Sequence, residues 1–318
     1  MSQPLVSIGI PAYNREKLIV RAIESALGQD YRNIELIISD NASTDGTEAV
    51  CRAFAARDPR VTYIQQETNR GAVANFEAVF ERGRGEYFLW LGDDDWFDLD
   101  YVSSCVAVLE AHPDHVAAYG RAIYYRGDEL IWNRAGFSLP QDDAARRVIA
   151  YYAQVDDNAL FYGVFRRAAL QKAGAMRNVV AGDWMFLAAV AFQGKVRMLG
   201  ETRVHRVLGG ASESYRKILV SLGLNPRHAP IFMLLAGREA WRDIMRASAY
   251  APLRRRARWW LALRCLPWFF KRHLWGIWTT WKVGAGVLQE SPFTRPLYKC
   301  LRWFYRLARN VRRLGRRG

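Results

Sequence analysis

Four apolar, β-rich runs punctuate the first 91 residues: LVSIGI (5–10), IELIIS (34–39), VTYIQ (61–65) and EYFLWL (86–91). The segments between them change period. Leu18, Ile19, Ala22, Ile23 and Ala26 recur at helical spacing, as do Val73, Phe76, Val79 and Phe80, and a further helix starts near Glu48. Strands that alternate with helices can bury both faces of a sheet only by right-handed crossovers. The expected fold is therefore α/β, a mostly parallel, Rossmann-like sheet flanked by helices. In such sheets ligands bind beyond the carboxyl ends of the strands. Residues 11–14, 40–47 and 93–95 follow strand ends and should converge on one crevice. Beyond residue 100 the spacing predicts helices over 101–111 and 182–192, a strand near 116–119 and a less regular stretch to about 152.

The fourth run delivers the chain into Asp93, Asp94 and Asp95. One aspartate there would cap a helix. Three adjacent ones cannot all cap, and their mutual repulsion is costly without a cation. Carboxylates are preferred ligands of Mg²⁺ and Mn²⁺. The pattern leaves two readings open, a metal site or a cap facing solvent.

Charge divides the chain. Residues 250–318 carry 14 Arg and 3 Lys against a single acid, Glu290, and seven of the twelve tryptophans, within a net charge of +15. Residues 1–249 hold 29 bases and 30 acids. A near-neutral body with a basic, Trp-rich tail sets the expected organisation: a first domain over 1–215, a helical connector over 216–249 and membrane-associating helices over 250–318. From Arg295 onward Leu297, Leu301, Phe304, Ala308 and Val311 share one face, and Arg295, Lys299, Arg302, Arg306, Arg309, Arg313 and Arg316 the other. That describes a helix lying in an anionic membrane interface. Upstream, Arg264, Pro267 and residues 271–273 interrupt the apolar runs, so no segment reaches the ~18 residues of a span. Nucleic-acid binding fits poorly, because so many Leu and Trp suit lipid better than phosphate. The four cysteines (Cys51, Cys105, Cys265, Cys300) form no metal or disulfide spacing and read as reduced thiols. With no basic n-region or cleavage site at the start, the expected location is peripheral, on the cytoplasmic face of the inner membrane.

VSIGIPAYNREKLIVRAIESALGQDYRNIELIISDNASTDGT, followed by NRGAVANFEAVFERGRGEYFLWLGDDDW, resembles the family 2 glycosyltransferases of the GT-A fold, of bacterial cell-surface polysaccharide type. The resemblance spans roughly residues 4–210. It implies an enzyme that takes a sugar from a nucleotide-diphosphate donor, with inversion and with Mn²⁺ or Mg²⁺. It implies a UDP- or dTDP-sugar donor and, with the tail, a polyprenyl-linked glycan acceptor. By the same resemblance Pro11, Ala12, Tyr13 and Asn14 line the nucleotide base, Asp40 accepts a pyrimidine N3–H, and Asp45 lies near it. Asp94 and then Asp95 hold the metal, with Asp93 towards the ribose. Asp183 is the catalytic base, or merely the cap of the helix after it. His205 touches diphosphate or metal, and Arg203 and Arg206 help to neutralise phosphate. The chain departs from the family pattern at three places. Gly92 stands in place of the first acid of D-x-D-D, Ala74 in place of an arginine (Arg70 being a substitute), and Gly182 in place of the glutamate before Asp183. Those departures admit a catalytically inactive sugar-binding scaffold. A sugar-phosphate nucleotidyltransferase would need a Gly-rich, Arg-containing first loop, and a dehydrogenase G-x-G-x-x-G; the chain has neither.

Overall fold

The structure is a computed structural model that describes residues 3–157, 159–209 and 214–288, with side chains to residue 276. Among the described residues nine strands, numbered β1 to β9 in chain order, form one sheet in the order β3-β2-β1-β4-β8-β6-β9-β5, with β7 paired to β6. The first half follows the alternation: β1 (Val6–Ala12), α1 (Ile19–Leu27), β2 (Ile34–Asp40), α2 (Thr47–Arg57), β3 (Val61–Gln65), α3 (Ala72–Arg82) and β4 (Tyr87–Trp90). All of β1, β2, β3 and β4 pair in parallel. β1 and β2 are buried along their whole length because helices cover both faces.

One boundary differs from the sequence reading. β1 does not stop at Pro11 but continues to Ala12, with Pro11 opposite Ser39 and Ala12 opposite Asp40. β4 pairs with β1 only as far as Gly9. Beyond that point one side of β1 is open, and a residue without an N–H is tolerated there.

The second half is mixed. It comprises β5 (Trp96–Phe97), α4 (Tyr101–Ala111), β6 (His115–Arg126), β7 (Glu129–Arg134), α5 (Ala144–Gln154), β8 (Val164–Arg166), α6 (Arg167–Ala173), α7 (Gly182–Gln193) and β9 (Lys195–Val207). β8 lies antiparallel between β4 and β6, and β9 runs parallel to β6. The stretch that looked irregular is a hairpin, β6–β7, followed by α5. A register shift within the hairpin hides its period-2 pattern.

α8 (Tyr215–Ser221), α9 (Phe232–Arg246) and α10 (Arg255–Leu288) complete the described chain. Residues 1–270 form one compact unit and a second begins at Lys271. α10 runs through Pro267, where the sequence showed broken apolar runs. Within the first unit its inner face, Leu261, Ala262, Cys265 and Phe269, is buried, and Phe269 packs 5.0 Å from Tyr152. Trp260, Leu263 and Phe270, 65%, 48% and 54% exposed, occupy the outer face. No helix among the described residues is long and apolar enough to cross a membrane. The expected basic-apolar helix from Arg295 to Arg316, and Cys300, lie outside the described residues. Cys51, Cys105 and Cys265 are buried free thiols.

Candidate active site

The carboxyl ends of β1, β2 and β4 share one rim, and short hydrogen bonds lace their loops together. Asn14, in a left-handed conformation (φ 54°), donates its N–H to Ser43 Oγ at 2.9 Å and accepts from Thr44 N at 2.8 Å. Asp45 accepts from Glu16 N (3.2 Å) and Thr47 N (3.0 Å), which ties the start of α2 to the first loop. Asn41 accepts from Arg70 N at 2.9 Å, which fixes the backbone of the loop before α3. Asn75, on α3, accepts from Ser39 Oγ (2.6 Å) and donates to Ser39 O (2.9 Å) and Ala12 O (3.3 Å). It clamps the last residues of β1 and β2. Pro11 and Ala12 are buried, whereas Tyr13 is 41% exposed at the mouth. Asp40 is fully buried; it accepts from Ser43 N and from the Tyr63 hydroxyl, both at 2.9 Å.

The three aspartates have three environments. Asp93 faces the first loop: it accepts from Tyr13 N (3.2 Å) and pairs with Arg15 Nε (3.2 Å). Burial, and then the Asp94 charge, push its carboxyl up to about 7. Asp95 is buried and spent on structure. Its Oδ2 accepts from the Tyr162 hydroxyl (2.6 Å), its Oδ1 from Val207 N (2.8 Å) at the end of β9. Asp94 lies between them, half-buried, and accepts no hydrogen bond from another described residue through its side chain. Burial, and then the Asp95 charge, raise its pKa too. Burial first and neighbouring like charge second disfavour the ionised forms of both carboxyls, and a cation bound between them would favour those forms. Asp93 and Asp94 could hold a divalent cation through carboxylate oxygens, and Asp95, each of whose oxygens already accepts one hydrogen bond, is the most constrained of the three. Gly92 explains the first departure from the family pattern. A Cβ there would stand 2.7 Å from Asp95 Oδ2, so an acid at 92 would displace Asp95.

β9 passes the rim with His205 and Arg206 on opposite faces, as strand alternation requires. Arg206 points at the acids. Its Nε is 3.6 Å from Asp95 Oδ2, its Nη1 donates to the Tyr124 hydroxyl at 3.2 Å, and its guanidinium lies 4.5 Å over the Tyr162 ring. His205 points away. Its Nε2 meets Asp98 Oδ1 at 2.8 Å, its Nδ1 meets the Tyr125 hydroxyl at 3.0 Å, and it stacks on Trp96 at 4.9 Å. Both ring nitrogens are therefore engaged on the other face, and the structure does not bring His205 together with Asp93 and Asp94. Arg203 sits beside the same Asp98, at 3.8 Å.

Asp183 opens α7, and its Oδ1 accepts from Trp184 N at 2.9 Å. Burial raises its pKa, and the Arg206 charge works against that rise. A carboxyl so placed can both accept from its helix's first turn and, with its pKa raised, act as a proton acceptor. Ala181, before it, is left-handed (φ 54°). At Gly182 a Cβ would lie 2.0 Å from the Arg177 carbonyl oxygen, so the turn that presents Asp183 has no room for the glutamate of the family pattern.

The structure thus gathers Tyr13, Asn14, Asp40, Asp45, Asp93, Asp94 and Asp95 at one rim, sets Asp183 within the field of the Arg206 charge, and leaves His205 on the far face. Arg70 joins by its backbone. Sequence reasoning missed Arg15, Tyr162 and Asn75, and gave Arg206 less weight than His205. The alternation in R-V-H-R-V carries a signal that only one of the pair can face the acids. His112, Asp114 and His115 form another group whose donor atoms lie within 4.8 Å of one another. It sits where β6 begins, at the amino end of that strand, and Lys195 holds Asp114 at 2.8 Å.

Comparison with known proteins places this geometry. The family model for glycosyl transferase family 2 matches residues 7–174. The chain is 42% identical to a chondroitin synthase of Escherichia coli over 103 residues, 32% of this chain and 15% of that protein. It is 26% identical over 171 residues to a GalNAc(5)-diNAcBac-PP-undecaprenol β-1,3-glucosyltransferase of Campylobacter jejuni, 53% of each. The chain spans less than two thirds of the length of the curated relatives it matches. The fold is similar to that of TarS residues 1–349 of S. aureus in complex with UDP-GlcNAc (TM-score 0.62, 17% identity, 93% of this chain and 79% of that one). It is also similar to a mannosyltransferase of Pyrobaculum calidifontis in complex with GDP-Man and Mn²⁺ (TM-score 0.54, 19% identity, 95% and 83%). The sheet with its flanking helices is the GT-A fold.

Proposed function

The chain belongs to glycosyl transferase family 2, and on that premise we propose that it is an inverting, metal-dependent enzyme of cell-surface polysaccharide synthesis. It transfers a sugar from a UDP- or dTDP-sugar to a hydroxyl of a lipid-linked glycan. The observation that carries this reading is the pair Asp93 and Asp94, half-buried side by side at the sheet's rim, each with its carboxyl pKa raised by burial and by a neighbouring aspartate's charge. A divalent cation held by Asp94 and Asp93 would supply charge neutralisation for a departing diphosphate.

The chain's own residues do the rest. The laced loops of β1 and β2 seat the nucleotide, with Tyr13 exposed to meet its base. Asp40 still has lone pairs to accept a pyrimidine N3–H beside its bonds to Ser43 and Tyr63. Arg206, fixed by Tyr124 and Asp95, holds positive charge where phosphate charge accumulates. Asp183, its pKa raised, takes the proton of the attacking hydroxyl on the opposite side of the sugar. In-line attack by that hydroxyl inverts the anomeric carbon and needs no covalent intermediate.

The lipid-linked acceptor is supported by the Campylobacter relative, whose name carries an undecaprenol. It is supported also by α10, where Trp260, Leu263 and Phe270 line an exposed face beside Arg256 and Arg264. Apolar anchors among arginines fit the interface of an anionic membrane, and the cytoplasmic face of the inner membrane is the location that follows. Calorimetry with UDP and dTDP, with and without Mn²⁺, tests the reading: the wild type binds in Mn²⁺ and Asp94→Ala does not. A metal-independent affinity, or a preference for GDP, contradicts it.

A further inference from the structure

We infer that Trp132 is the platform of a subsite for a pyranose ring of the acceptor glycan, an inference that rests on the transferase reading above. Register places Trp132 of β7 opposite Tyr124 of β6, and Tyr124 opposite Arg206 of β9. Cross-strand partners share a face, so the three side chains form one row. Tyr124 is buried, its ring edge-on to Trp132 at 5.9 Å (68°), and its hydroxyl accepts from Arg206 at 3.2 Å. Arg206 in turn lies 3.6 Å from Asp95. The row therefore leads from a ring that is 45% exposed to the acids where the donor's phosphates would rest.

The chemistry around Trp132 suits a sugar. A pyranose offers one face of C–H groups, polarised by the ring oxygens, which packs on the electron-rich face of an indole. Its hydroxyls need donors and acceptors at the ring's margin. Arg134, two residues along the same face of β7, lies over one face of the indole, 5.4 Å from its centroid, leaves the other face to the sugar, and pairs with Asp156 at 3.3 Å. Both charged groups are exposed and can exchange that bond for hydroxyls. The ordinary explanation of an exposed tryptophan is chance. It does not account for an apolar ring kept on an unprotected edge strand, where such exposure invites aggregation, and held there by Tyr124 and Arg134.

Saturation-transfer NMR tests the subsite, with cellobiose, maltose, N,N′-diacetylchitobiose and mannobiose as probes at millimolar concentration in the presence of UDP and Mn²⁺. In the wild type at least one disaccharide receives saturation at its ring protons. Trp132→Ala loses that signal, Trp132→Phe keeps it, and all three proteins bind UDP alike. With a turnover assay, Trp132→Ala raises the acceptor KM roughly 3- to 10-fold and leaves the donor KM unchanged. Silence from every disaccharide, an undiminished signal in Trp132→Ala, or a Trp132-dependent dimer in sedimentation without sugar binding overturns the subsite. Loss of UDP binding in the wild type would instead strike the transferase reading.

Discussion

Along β3-β2-β1-β4 every pairing is parallel, and each loop that reaches the rim leaves directly from the strand before it. Along β8-β6-β9-β5 the pairings are mixed, and the rim is reached by side chains far away in sequence. Val207 N bonds Asp95 across 112 residues and the Tyr162 hydroxyl across 67. The first half is a set of local solutions repeated, each strand with its loop. The second half is a single cross-braced assembly in which Asp95, Tyr162, Tyr124 and Arg206 depend on one another. Changes in the first half should therefore alter what binds. Changes in the second should alter whether the site exists at all, with Asp183 as the proposed point of chemistry.

The largest effect is expected at Asp183. Asp183→Asn keeps the helix cap and removes the proton acceptor, so turnover falls by roughly 10²–10⁴ while calorimetric donor binding persists. Undiminished turnover would show that the second half does no chemistry. Arg206→Ala comes next. It strips a mostly buried partner from Asp95 and should lower stability by about 3 kcal/mol in denaturant melts, where an exposed arginine such as Arg70 would cost almost nothing. Gly92→Ala is expected to cost about 1–3 kcal/mol through overpacking against Asp95. A crystal structure of the variant would find Val207 displaced.

The smallest effect separates the halves by pH. Asp93 titrates near 7 in the folded chain, well above the ordinary ~3.9 of an unfolded aspartate. A raised carboxyl pKa means that folding disfavours the ionised form. The penalty is absent below about pH 4, grows as pH rises, and is complete above about pH 7. Metal-free protein should therefore melt earlier at pH 8 than at pH 5, by about 1–2 kcal/mol, and Mn²⁺ should recover most of the loss. Equal recovery by Mn²⁺ in Asp94→Ala would place the cation elsewhere.

Legibility followed the same division. The four parallel strands, their helices and the acidic rim could be read because each depends on a period or a motif within about 30 residues. The β6–β7 hairpin could not, since a register shift breaks its alternation. His205 drew attention as a type of residue, yet its neighbour holds the better position. The sequence contains Arg206 as plainly as His205, but not which face of β9 meets the acids. Gly92 and Gly182 looked like losses of family acids, and the structure shows each as space that a neighbouring carboxylate or carbonyl needs. α10 also divided: composition foresaw its basic, aromatic character, and packing decided that one face belongs to the catalytic body.

By itself the sequence determined the alternation of strands and helices, the place where carboxylates accumulate and the family to which the chain belongs. The first two follow from local periodicity and from charges adjacent along the backbone, and the family from motifs in a fixed order, matched over residues 7–174. Only the tertiary structure decided that Asp95 is the aspartate bonded by Tyr162 and Val207, that Arg206 faces inward and His205 outward, and that Trp132 stands at the end of their row. Each of those depends on the register between strands distant in sequence, and a shift of one residue in register would turn every side chain to the other face.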